Sequence, residues 1–213
     1  MQKKVYTVYS EMTPNPNSMK FVASRMLLDE GKVEYHHKSE AKECPLAFQL
    51  FDFTGVKSIF ITSNFVTITK EADLDWYEIT NILREFIQAF LNNGERGVNS
   101  AFSVQRSELG IKSSEKKEEH VSSIEENSVQ YSTEESLELE NQIKQMLDEY
   151  VRPAVEGDGG AIDFKSFNDG IVTVVLKGSC SGCPSSTITL KSGIENLLKR
   201  MIPEVKEVVA EAD

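Results

Sequence analysis

Cysteine, histidine and tryptophan are scarce in this chain: 213 residues hold three Cys, three His and one Trp. Three cysteines cannot build a disulfide framework, since Cys44 stands alone, far along the chain from the pair Cys180 and Cys183. The histidines make no cluster either. His36 and His37 are adjacent in a β-like stretch, where neighbouring side chains point to opposite faces, and His120 has no partner nearby in sequence. Positive charge is also short, with 23 Lys and Arg against 34 Asp and Glu and a net charge of −11. That balance excludes nucleic acid and anionic membrane as main partners, since both require a basic surface. No apolar run approaches the roughly 18–20 residues of a membrane span. The first residues carry neither an apolar leader nor an Arg- and Ser-rich stretch, so the expected location is cytoplasmic.

What is present divides the chain into three parts. Residues 1–94 hold nearly all the aromatics, including Trp76. Residues 95–133 turn polar, with runs such as Ser113-Ser114-Glu115-Lys116-Lys117-Glu118-Glu119. Such a stretch buries too little apolar surface to offset its ordering entropy, and reads as a flexible linker that leaves no fixed arrangement between its neighbours. Residues 134–213 regain periodicity and carry most of the acidity, with eight Lys and Arg against fifteen Asp and Glu.

The predicted fold class is α+β: two small mixed domains joined by that linker. In the first, Trp76, Ile79, Leu83, Phe86, Ile87 and Phe90 recur at three- and four-residue steps, predicting an amphipathic helix over 75–91 with Asp73 or Asp75 as its cap. Two β-rich runs, 58–62 and 65–69, flank Ser63-Asn64 and predict a hairpin. Pro45 suits the first turn of a short helix over 46–53. Thr13-Pro14-Asn15-Pro16-Asn17-Ser18 offers turn chemistry only. In the second, a helix through Ile143, Met146, Leu147, Tyr150 and Val151 is expected to stop at Pro153. Gly157-Asp158-Gly159-Gly160 follows as a tight loop, read as helix exit and strand entry, with close backbone approach to a bound centre as the functional alternative. Strands 161–167 and 171–176 are joined at Asn168-Asp169-Gly170. A helix over 184–201 and a short strand over 205–209 complete an α-β-β-α-β unit.

The Cys180-Ser181-Gly182-Cys183 segment lies between a strand end and a helix start. Gly178 and Gly182 leave room beside the sulfurs, and two intervening residues let both thiols converge on one metal centre. A helix N-terminus and a glycine-rich turn favour thiolate, which is both the ligand of iron or zinc and a redox nucleophile. The candidate uses are therefore metal or cluster binding, a zinc-bridged dimer, or thiol–disulfide exchange. Against the last, a thioredoxin-like fold needs several β-α elements after its motif, and only some 30 residues follow Cys183. A zinc or iron–sulfur centre usually takes about four protein ligands, whereas one chain supplies two here. Two chains facing one another supply four. Cys44, beside Pro45, reads as a small buried hydrophobe.

Glu156-Gly157-Asp158-Gly159-Gly160, the hairpin after it, and Gly178-Ser179-Cys180-Ser181-Gly182-Cys183-Pro184-Ser185-Ser186 resemble the C-terminal domain of NifU-like proteins, the Nfu iron–sulfur cluster scaffolds and carriers. Thr13-Pro14-Asn15-Pro16-Asn17-Ser18-Met19-Lys20-Phe21, Gly55-Val56-Lys57-Ser58-Ile59-Phe60 and Asp75-Trp76 resemble the family's N-terminal domain. The resemblance implies domains over 1–94 and 134–213. It also implies a 4Fe–4S cluster held by Cys180 and Cys183 of two protomers in a cluster-bound homodimer. The implied partners are upstream cluster-assembly proteins and recipient apo-proteins, to which the cluster passes by thiolate exchange. The protein would be a carrier, not an enzyme, and its N-terminal domain a docking or stabilising module.

Overall fold

Segments carrying β-branched and aromatic side chains form the strands of the first unit, β1 (Val8–Met12), β2 (Ser18–Ala23), β3 (Lys32–Tyr35), β4 (Val56–Thr62) and β5 (Phe65–Lys70). In the computed structural model, which describes residues 5–93, 133–181 and 184–212, they form one antiparallel sheet in the order β1-β2-β5-β4-β3. The β4–β5 hairpin turns at Ser63-Asn64 as the sequence predicts, with Ser63 at φ 44°. Helix α1 (Pro45–Leu50) is shorter than expected, and α2 (Trp76–Asn92) starts where the Asp75 carboxylate accepts the Tyr77 amide. Phe21, Ile59, Ile61, Val66 and Ile68 point from the sheet onto Leu83 and Ile87 of α2 and form the first core.

The second unit opens with α3 (Thr133–Met146). The predicted stop at Pro153 does not occur. A π-type turn over Leu147–Val151 widens the helix, and Pro153 falls in the first turn of α4 (Arg152–Gly157). A proline there sacrifices no intrahelical bond, so the chain stays helical to Gly157. Strands β6 (Gly160–Asn168) and β7 (Ile171–Gly178) are linked by Asp169 and Gly170, both at positive φ. Helix α5 (Pro184–Met201) then crosses back, and β8 (Glu207–Ala212) lies parallel to β7. The α-β-β-α-β order is as predicted, closed by a sheet β6-β7-β8 over a second core that includes Ile143, Ile162, Val174, Ile194 and Leu198.

The stretch expected to be a linker, 95–133, lies outside the described residues except for Thr133. Its polarity led to the expectation of no fixed arrangement, yet the two units meet. β4 and β5 are buried on both faces, which a sheet covered by helices on one side does not explain. The second unit explains it. Val22, Phe60 and Phe65, on the face turned away from α2, form a small third cluster with Ala161 of β6. Leaving three large apolar side chains in water is what this contact avoids.

Candidate functional site

The cysteine turn hangs from the end of β7. Gly178, at φ 66°, turns the chain, its carbonyl accepts both the amide (3.2 Å) and the hydroxyl (2.8 Å) of Ser181, and Cys180 falls inside this turn. The Cys180 sulfur packs against Gly160 at the start of β6, where an added Cβ would meet it at 2.7 Å. Gly160 is thus the residue that makes room for the sulfur, a role for the glycine loop beyond helix exit. Cys180 is only 7% exposed and joins the second core. Burial is the main cause that pushes its thiol above the ordinary range; the Asp158 carboxylate adds to this and the Ser179 hydroxyl opposes it. The expectation that the turn favours thiolate is therefore reversed in this conformation: desolvation of the charged sulfur outweighs nearby hydrogen bonding. Gly182 and Cys183 lie outside the described residues.

The first unit reaches this turn with polar groups. Asn15 donates from Nδ2 to the Ser179 carbonyl (3.1 Å), and the Gly178 amide donates to the Glu34 carboxylate (3.1 Å). The Thr67 hydroxyl donates to the Gly159 carbonyl (2.7 Å), which also accepts the Ser179 amide. Lys20 donates to the Gly157 carbonyl (3.2 Å), and Lys32 pairs with Asp163. The loop carrying Asn15 is itself anchored. The Asn15 carboxamide accepts the Asn17 amide, the Asn15 carbonyl accepts Thr13 and Ser18, and the Trp76 indole donates to the Pro16 carbonyl. Asn15, Glu34 and Thr67, which the structure brings against the cysteine turn, were missed by sequence reasoning, and Gly160 was read only as part of a tight glycine loop. The signal for Asn15 was the dense Pro-Asn run, which marks a rigid turn without revealing what it touches.

The comparisons with known proteins agree across both units. Residues 8–94 match the family model for the scaffold protein Nfu/NifU N terminal, and residues 143–209 match the NifU-like domain. The chain is 38% identical over 202 residues to the human NFU1 iron-sulfur cluster scaffold homolog, mitochondrial, covering 94% of this chain and 70% of the relative. It is 32% identical over 214 residues to NifU-like protein 4, mitochondrial, of Arabidopsis thaliana, covering 100% of this chain and 68% of the relative. The chain belongs to the Nfu/NifU family of iron–sulfur cluster scaffolds. Among solved structures, a NifU-like protein from Saccharomyces cerevisiae aligns with 47% of this chain and 91% of its own, at 25% identity and a TM-score of 0.42.

Membership in the Nfu/NifU family corrects the expected cytoplasmic location. That expectation rested on the lack of leader features in the first residues, and an absence carries no address. The relatives are named as mitochondrial proteins, which overturns it.

Cys44 does not join the site, whereas His36 lines a cleft beside it together with Asn15 and Ser181. Cys44 is fully buried in the first core, and burial pushes its thiol up to about 11. His36 and His37 are exposed, with their amides donating to the Glu40 carboxylate. His120 lies outside the described residues. Among the described residues no three His, Cys, Asp or Glu side chains gather closely enough to hold a metal ion, and none of the helices is long and apolar enough to cross a membrane.

Gly160 permits a direct test of how the Nfu turn is built. In Gly160→Ala the new methyl would meet the Cys180 sulfur and the Lys177 carbonyl, each at 2.7 Å. Because one of these atoms is backbone, the turn itself must move. Thermal melting of the metal-free chain should show a loss of about 1–3 kcal/mol, the range for overpacking a tight site. An unchanged melting curve would mean that the turn already yields.

Proposed function

We propose that this chain carries an iron–sulfur cluster on Cys180 and Cys183 and passes it to apo-proteins, acting as a carrier and not as an enzyme. The observation that carries the reading is the C-x-x-C pair between β7 and α5 in a chain with both Nfu domains. Two cysteines per chain are half the usual ligand set, so two chains share one 4Fe–4S cluster. In transfer, an acceptor thiolate forms a bond to iron as the bond from Cys180 or Cys183 breaks. The displaced cysteine keeps its electron pair and takes up a proton, with no change of oxidation state. Upstream assembly proteins supply the cluster, and the names of the relatives make the mitochondrion the proposed setting. We also propose domain limits of 1–94 and 134–213, with 95–133 as the join.

Thiol–disulfide exchange by the same pair fits less well. The relatives that the chain matches are named as an iron-sulfur cluster scaffold homolog and a NifU-like protein, which favours cluster binding. Anaerobic reconstitution with ferrous iron and sulfide decides among the uses. A bound cluster gives visible charge-transfer absorption, which zinc, with its filled d shell, cannot give. Bound zinc with no visible band after reconstitution would overturn the cluster reading.

A further inference from the structure

The hydrogen bonds that cross between the units are concentrated on one place. Asn15, Glu34 and Thr67 take up the Ser179 carbonyl, the Gly178 amide and the Gly159 carbonyl, all backbone groups of the cysteine turn or of the strand start beside it. Asn15 and Ser179 are 4% and 2% exposed, so these bonds replace water and do not supplement it. The approach is close enough to require glycine. A Cβ on Gly159 would meet Thr67 at 3.0 Å, and one on Gly178 would meet the Phe60 ring at 2.9 Å. Both glycines are at positive φ as well.

We propose that in the metal-free chain the first unit clamps the cysteine turn, with Asn15, Glu34 and Thr67 as positioning residues that keep the Cys180 sulfur turned inward against Gly160. Bringing that sulfur to the surface moves residues 178–180; the Asn15 and Glu34 bonds resist the movement directly, and the Thr67 bond fixes the Gly159 carbonyl that accepts the Ser179 amide. Cys180 becomes reachable when the units part. The consequence for cargo rests on the cluster-carrier reading: a second protomer meets Cys180 only after the first unit has withdrawn, so loading and unclamping are coupled. The open seam then exposes Val22, Phe60 and Phe65, which favours reclosure once the cargo has left.

The Lys32–Asp163 pair spans the same seam and permits a test that leaves the turn untouched. Full-length, metal-free protein is treated with iodoacetamide at fixed pH, and alkylation is followed separately at Cys180 and Cys44 by fragment-ion mass spectrometry. Lys32→Glu sets two carboxylates against each other and should speed alkylation of Cys180 about threefold, the modest effect of a partly exposed pair. Lys32→Glu combined with Asp163→Lys should bring the rate back to that of the parent. Asn15→Ala with Thr67→Val, which removes two bonds to the turn, should speed it about tenfold or more, with Cys44 unchanged. Rates at Cys180 equal to the parent in all variants would overturn the clamp. So would equal acceleration at Cys44 and Cys180, since the reagent would then reach both only through global unfolding. No iron is present in this experiment, so its outcome is independent of whether the chain carries a cluster.

Discussion

Serine at position 180 or 183 should reduce iron bound after anaerobic reconstitution to background, whereas Cys44→Ser should leave it at the parental level. A hydroxyl is a much poorer ligand than a thiolate for iron, which in clusters selects soft sulfur donors. In a shared site, one substitution in the sequence removes two of the four thiolates. The structural cost has to be separated from the loss of ligand. The structure places Cys180 inside the second core, so Cys180→Ser puts a hydroxyl there at a cost of about 1–3 kcal/mol if it stays unpaired. The metal-free variant should therefore melt lower than the parent but still cooperatively. Cys44→Ser carries a similar cost in the first core, with no effect on iron. Its parent thiol has a folded value of about 11 against an ordinary 9.0. The stability it contributes is therefore fully present below pH 9.0 and fades as pH rises through the folded value, well above the range used for reconstitution. Full iron content in Cys180→Ser, measured with sulfide on a chain whose melting shows it folded, would remove Cys180 from the site.

How far the sequence discloses this molecule depends on the range of the interaction concerned. Helix α2 and the β4–β5 hairpin were legible because periodicity and turn chemistry are local: Asp75 caps, Ser63-Asn64 turns, and the stripe from Trp76 to Phe90 faces one way. The two cysteines stood out because their spacing is itself the signal. Pro153 misled because a proline reads the same whether it ends a helix or enters the first turn of the next one, and the π-type turn that decides between them leaves no composition mark. The seam between the units was hidden for a related reason. Phe60 and Phe65 sit in strands whose opposite face already fills a core, so their burial looks like ordinary strand apolarity. Asn15 and Ser179 are 164 positions apart, and no pattern within either segment points to the other. The preference for thiolate at Cys180 failed because local geometry predicted the hydrogen bonds but not the burial that outweighs them.

Cluster loading should double the mass of the protein. One chain offers Cys180 and Cys183, while each of the four irons of a cubane requires a ligand from outside it. A two-fold axis supplies the missing pair from an identical chain, and two-fold dimers are the commonest closed assembly. Without the cluster, nothing in this arithmetic joins the chains, and the second units, with fifteen acidic against eight basic residues over 134–213, repel one another at low salt. Light scattering should therefore give a monomer for the metal-free chain in low-salt buffer and a dimer after reconstitution, with about four irons and four sulfides per two chains. Because acidic repulsion opposes the dimer, raising the salt should lower the protein concentration at which the loaded form stays paired. Stripping the iron with a chelator should return the monomer. A loaded chain that stayed monomeric with a full four-iron content, in buffer free of added thiol, would show that the remaining ligands come from within one chain and would overturn the shared site.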